Sequence, residues 1–236
     1  MAKAFRKGKI RAALIYCDAM SEPYELGRLV YLPGRRVYGF YVKMVPKVLD
    51  QPGVLLLLSR AFSSRGVSIV HLKVSRPEPG KPISTIMFAD LTGKEELRAP
   101  LVKELESLES VEEARVIEPL FEGFVVDDVM FPPMLFGERV VILRRPGYEA
   151  LVRGLRDKIG TGYEAILYHI GVELGRNYFD SHVRLVGRDL DKLTRICETL
   201  FRLVGYGILR YEEVDVAGKR GVARVWDSFE CELYRG

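Results

Sequence analysis

The sequence predicts an α+β protein made of two successive units, the first with the order strand, helix, strand, strand, helix, strand. Three observations predict it. A tight turn, Asp50-Gln51-Pro52-Gly53, opens an apolar-periodic stretch that closes at Gly66 and leads at once into a β-branched run. Two more β-rich runs and another helical stretch follow before residue 120. Beyond Pro132-Pro133, which forbids regular structure, the pattern turns to three helical stretches and a β-hairpin.

Composition narrows the class. The 236 residues suffice for two modest domains, and 48% hydrophobic with 29% charged residues describes a folded globular chain. A net charge of +4 is too small for a dedicated nucleic-acid binder, so nucleic acid is expected as a partner only indirectly. The basic cluster at residues 3–11 reads either as an arm for an anionic partner or as a solvated terminus. Cys17, Cys197 and Cys231 are far apart and odd in number, which speaks against a disulfide scaffold or a structural zinc site and for the cytoplasm. No apolar run approaches the ~20 residues that span a bilayer, and no signal peptide is visible, so no membrane role is expected.

Residues 1–37 read as an arm and the start of a hairpin. Residues 26–45 place β-branched and aromatic residues on both sides of Pro33-Gly34, with a second arm from about Val37 to Val45. Asp50 can cap the next helix, Pro52 suits its first turn, and Gly53 removes a side chain where backbone must come close to something. The helix puts Val54, Leu55, Leu58, Ala61 and Phe62 on one face. The strand from Val67 alternates Val67, Ile69, His71 and Lys73 against Ser68, Val70, Leu72 and Val74. A strand near residues 83–92, a helix with Leu97, Leu101 and Leu105, and a closing strand from Val111 complete the ferredoxin-like βαββαβ plan over residues 38–121.

This order, together with the string from Asp50 to Ile69, resembles the ACT domain family. The hallmarks are the Asp-x-Pro-Gly turn opening the first helix and the Gly-hydrophobic-x-Ile start of the next strand, here Gly66 to Ile69. The resemblance implies a regulatory module that binds amino acids at a domain–domain interface. Its ligand contacts would map to Lys47, Asp50, Gln51, Gly53 and Val54. A helix N-terminus, with unpaired N–H groups and a positive dipole end, suits a carboxylate. The bland alternative is that Asp50 only caps, Gly53 only shapes the turn, and the domain dimerises by pairing sheets.

Residues 122–135 read as a linker, and residues 136–236 as a second α+β domain, helices packed on an antiparallel sheet. A strand at residues 139–145 precedes a helix presenting Tyr148, Leu151, Leu155 and Ile159. A longer helix presents Tyr163, Ile166, Leu167, Ile170, Leu174 and Tyr178. A third carries Leu190, Leu193, Cys197, Leu200, Phe201 and Val204, with Cys197 as a small core residue. Gly171 and Gly175 lie one turn apart and cost helix stability about 1 kcal/mol each, which points to close approach of backbone or ligand. A hairpin turns at residues 217–221.

This series, with its helix glycines and the Trp226-x-Ser228-x-Glu230 string, resembles the 4-vinyl-reductase-type small-molecule-binding domain. The resemblance implies a ligand pocket, aromatic or lipophilic in taste, with Tyr168, His169, Gly171, Gly175 and Trp226 as candidate contacts. His169 reads more readily as an ordinary interior or surface histidine, and Trp226 equally as a core residue. Fuller members continue past this string with another helix, a strand and zinc-binding cysteines. Here the sequence given stops at Gly236, so no metal and no cofactor are expected, and an incomplete core would favour a homodimer.

No nucleophile with an oriented base, no phosphate-binding loop and no dinucleotide fingerprint is present, so no catalytic residue is expected. The sequence is therefore expected to encode a cytoplasmic, non-enzymatic ligand sensor that controls a partner in transcription or metabolism. Two alternatives stand beside it: an accessory subunit or enzyme acting on a tetrapyrrole-type or aromatic substrate, and an oligomerising adaptor without ligand.

Overall fold

The computed structural model describes residues 23–233; the basic cluster at residues 3–11 and Cys17 lie outside them. Contacts divide the described residues into two units with the break between Val140 and Val141, so the segment expected as a linker, residues 122–135, lies within the first.

The first unit opens with β1 (Leu29–Tyr31), β2 (Val37–Met44) and a 3-10 turn at Pro46–Asp50, followed by α1 (Val54–Ser63) and β3 (Ser68–Val74). It continues with β4 (Ile83–Asp90), α2 (Arg98–Glu106), β5 (Val111–Ile117) and β6 (Phe124–Val126). A two-residue pair, β7 (Met134–Leu135) and β8 (Glu138–Arg139), ends it. The four-stranded antiparallel sheet has the order β3-β4-β2-β5, the ferredoxin-like arrangement expected. Strand alternation sends Tyr38, Phe40, Val42 and Met44 of β2 to the helix side. There they pack with Val54, Leu58, Ala61 and Phe62 of α1 and with Leu101 and Leu105 of α2. The Phe40 and Phe62 rings meet edge to face at 5.0 Å.

Three local expectations change. The hairpin across Pro33-Gly34 does not form: the turn closes, Arg35 N–H donating to Leu32 C=O at 3.1 Å, but β1 pairs with β6. The reason is that both edges of β2 are taken, by β4 and by β5. In β3 the alternation is broken by a bulge at Val70, because the register against β4 shifts between Ile69 and His71. Ile69 and Leu72 thus both join the helix-side core, while His71 stacks on Phe88 on the other face. The strand expected at residues 139–145 shrinks to Glu138–Arg139, because its partner is only Met134–Leu135, cut short by Pro132-Pro133.

The sheet's second face carries its own small core of Val37, Ile86, Phe88, Ile117 and Val125, covered by the β1 and β6 segments. Asp127 pins this cover. Its carboxylate is fully buried and takes the Arg28 guanidinium at 3.3 Å and the Lys73 ammonium at 3.4 Å. It also accepts the N–H groups of Val129 and Met130 at 3.2 and 2.8 Å.

In the second unit α3 (Arg145–Glu149), a π-helical turn (Ala150–Gly154) and α4 (Leu155–Ile159) lead to α5 (Gly162–Val186) and α6 (Leu190–Leu203). The helix therefore starts before Pro146-Gly147, with the proline in its first turn. Asp189 caps α6, accepting Lys192 N–H at 3.1 Å. The β9 (Ile208–Asp215) and β10 (Arg220–Trp226) hairpin lies against α6, and Ser228 caps α7 (Phe229–Glu232). Cys197 is half-buried, its Sγ 3.3 Å from the Tyr211 hydroxyl; burial, then this contact, pushes the Tyr211 phenol up from its ordinary range.

Candidate functional site

The site is built by the chain between β2 and α1. The 3-10 turn folds back on itself, with Val48 N–H on Val45 C=O and Gln51 N–H on Val48 C=O, each at 3.1 Å. It is tied to the start of β5 by Val45 N–H on Ser110 C=O at 3.0 Å. Gly53 then takes φ 89°, a left-handed conformation that turns the chain into α1. A Cβ at Gly53 would meet nothing within 4 Å, so the glycine serves the backbone angle and not a close approach.

Asp50 does not cap α1. The N-cap is Gly53, Pro52 lies outside the helix, and no side chain bonds to the first turn. Asp50 belongs to the 3-10 turn, and the left-handed Gly53 swings the helix start away from it. The helix's first bond is Leu57 N–H to Gly53 C=O. The N–H groups of Val54, Leu55 and Leu56 therefore leave the first turn with no acceptor among the described residues.

This end of α1 opens on a cleft of ≈ 1090 Å³. Lys47, Asp50, Gln51 and Val54 all line it, so four of the five expected contacts share one concavity. Gly53 shapes it without lining it. Pro46, Leu57 and Leu108 supply apolar wall. The opposite side is the turn from α2 into β5, Ser107 to Ser110, with Glu112 of the strand, which the sequence reading missed. Only the β2–β5 pairing brings it there, and nothing local to residues 107–112 signals it. Glu112 is engaged by Lys43 at 2.9 Å, and that bonded carboxylate holds the Lys43 ammonium above its ordinary range. Leu49, Leu55, Leu56 and Leu57 form an exposed apolar lip beside the cleft.

The candidates of the second unit do not converge. Tyr168 is 70% exposed on α5, and among the described residues its ring meets only the neighbouring His169 ring, edge to face at 5.5 Å. Gly171 and Gly175 have nothing within 4 Å of a built Cβ, so the close approach expected of them is not made by the described residues. Trp226 ends β10 opposite Ile208, half-buried, with the Arg224 guanidinium 5.7 Å from its ring centre. Glu230 bonds the Tyr148 hydroxyl, a partner the Trp-x-Ser-x-Glu spacing did not announce. Among the described residues no helix is long and apolar enough to cross a membrane, and no group of three acidic, His or Cys side chains could hold a metal ion.

Residues 45–110 match the model of the ACT domain family. No curated protein matches the chain. Among solved structures, it resembles part of a homoserine dehydrogenase from Thiobacillus denitrificans (19% identity, 36% of this chain, 17% of that chain, TM-score 0.29). It also resembles the C-terminal domain of the MgtC protein from Mycobacterium tuberculosis (15% identity, 42% and 96%, TM-score 0.32). A third is the ligand-free regulatory subunit of aspartate kinase from Thermus thermophilus (18% identity, 36% and 52%, TM-score 0.28). The chain thus spans about a sixth of the dehydrogenase and about half of the kinase subunit.

Proposed function

With residues 45–110 an ACT domain, we propose that this chain is a non-enzymatic regulatory protein that binds an amino acid in the cleft at the start of α1. The observation that carries the reading is the uncapped α1 N-terminus opening beside Lys47 and Asp50 in one concavity. The free N–H groups and Lys47 suit a carboxylate, and Asp50 suits an ammonium group. Val54, Leu57 and Leu108 give apolar contact to the rest of the ligand. The exposed leucine lip suits a site closed by another domain or a second copy, so ligand binding favours one arrangement over another and changes the surface offered to a partner. The chain acts in this reading as a cytoplasmic homodimer. A ligand for the second unit, aromatic or lipophilic, rests in this reading on the Trp226-x-Ser228-x-Glu230 string alone, since its candidate contacts do not converge.

A second reading, an oligomerising adaptor without ligand, is favoured by the apolar face that α5 exposes at Ile166, Ile170 and Leu174. Calorimetric titration of the whole chain with each of the twenty L-amino acids separates the two. The sensor reading expects one or a few to bind, and Lys47→Ala and Asp50→Ala each to weaken binding about tenfold. If no amino acid binds, the adaptor reading stands.

A further inference from the structure

The second unit leaves its longest helix uncovered. Among its described residues, only Tyr163, Leu193, Leu209 and Leu233 are buried hydrophobics, a small core for a unit of this size. Along α5, residues 168–180 are exposed throughout, save the half-buried Val172. Ile166, Ile170, Leu174 and Tyr178, four apart, form one apolar stripe, and each is 44–51% exposed. Beside the stripe lie Gly171 and Gly175, with open space around each. Two glycines one turn apart weaken a helix that only water surrounds, so the pair calls for a compensating contact.

The pattern of this face is symmetric about the helix midpoint. Gly171, Leu174, Gly175 and Tyr178 stand at i, i+3, i+4 and i+7, the corners of a hole that a side chain of a facing helix can fill, and the two glycines deepen it. On the other side of the stripe, Glu173 and Arg176 lie equally far from the point between Leu174 and Gly175. His169 and Asp180 do the same, and each pair joins an acid to a base.

We propose that α5 is the interface of a homodimer, crossing α5 of a second copy antiparallel at Leu174 and Gly175. A two-fold axis there seats Leu174 of each copy in the glycine-walled hole of the other. It sets Glu173 against the partner's Arg176, and His169 against the partner's Asp180, each twice. Within one copy the Arg176 guanidinium already meets the Glu173 carboxylate at 2.5 Å, so the crossing closes a cluster of four alternating charges. This symmetry selects a second copy as the occupant, since an unrelated protein needs no match of the face to itself. The inference rests on the homodimer of the reading above and supplies its surface; it does not depend on what the cleft of the first unit binds.

Sedimentation velocity of the whole chain tests it, with far-UV circular dichroism confirming that each variant keeps its helices. The wild type should sediment as a dimer. Glu173→Arg and Arg176→Glu should each weaken the dimer at least about tenfold, because like charges then face each other at both crossings. An equimolar mixture of the two variants should restore it, because opposite charges meet again across the axis although neither copy regains its internal bridge. Gly175→Leu, which the open space within one copy accommodates, should fill the hole and weaken the dimer at least about tenfold as well. A dimer that Gly175→Leu leaves unchanged, or variants that fail to reassociate on mixing, would overturn the inference and leave the homodimer to another surface. A monomeric wild type would overturn the homodimer and the inference together, and would leave the α5 face to residues 1–22 of the chain or to a different protein.

Discussion

Gly53 decides how the cleft is formed. Its φ of 89° turns the chain into α1, and the space around it is open. Gly53→Ala should therefore cost about 1–2 kcal/mol in urea unfolding, the penalty of a left-handed alanine. Gly53→Asn should cost less, because asparagine tolerates that conformation. A larger loss for the asparagine would mean that bulk, not backbone angle, is what the position refuses. The glycine itself was legible in the sequence, but its reason was not, since a Pro-Gly turn looks the same whether it serves an angle or a contact. Asp50 shows the same limit: an acid four residues before a helical run reads as a cap until the fold shows the helix starting beyond it.

At the scale of elements, a carboxylate that no motif announces holds the cover on the sheet's second face. Asp127 gathers Arg28, Lys73 and two backbone N–H groups at a fully buried carboxylate. Asp127→Asn should destabilise the protein by about 2–3 kcal/mol in urea unfolding followed by circular dichroism. A loss under about 0.5 kcal/mol would contradict this role. In the second unit, burial lowers the pKa of His182, which stacks on Tyr178 of the same helix. A lowered folded pKa makes the neutral form the stable one. Its contribution is present above the unfolded value of about 6.5 and is lost as pH falls through the folded value. Trp226, the sole tryptophan, reports on this unit. Its fluorescence in urea should show a lower midpoint at pH 5 than at pH 7.5, and His182→Gln should flatten that difference. The helices and the βαββαβ order were readable because apolar spacing and turn residues are local. The β1–β6 pairing, the Val70 bulge and the Asp127 cluster were not, because each depends on a partner distant in the chain.

Across the whole molecule, the sequence assigned both units a ligand, but only the first presents its candidate residues together. Lys47, Asp50, Gln51 and Val54 converge because one turn carries them all. Tyr168 and His169 lie exposed on α5, away from any ring contact with Trp226, because helix periodicity does not say what covers a helix. The central claim is thus that an amino acid binds at the start of α1. Amide hydrogen exchange of the whole chain, resolved by NMR with and without the tightest-binding amino acid, tests it most directly. The N–H groups of Val54, Leu55 and Leu56 should exchange fast in the free protein and slow at least about tenfold when a ligand carboxylate accepts from them. Protection that appears elsewhere while these amides stay fast would contradict the account.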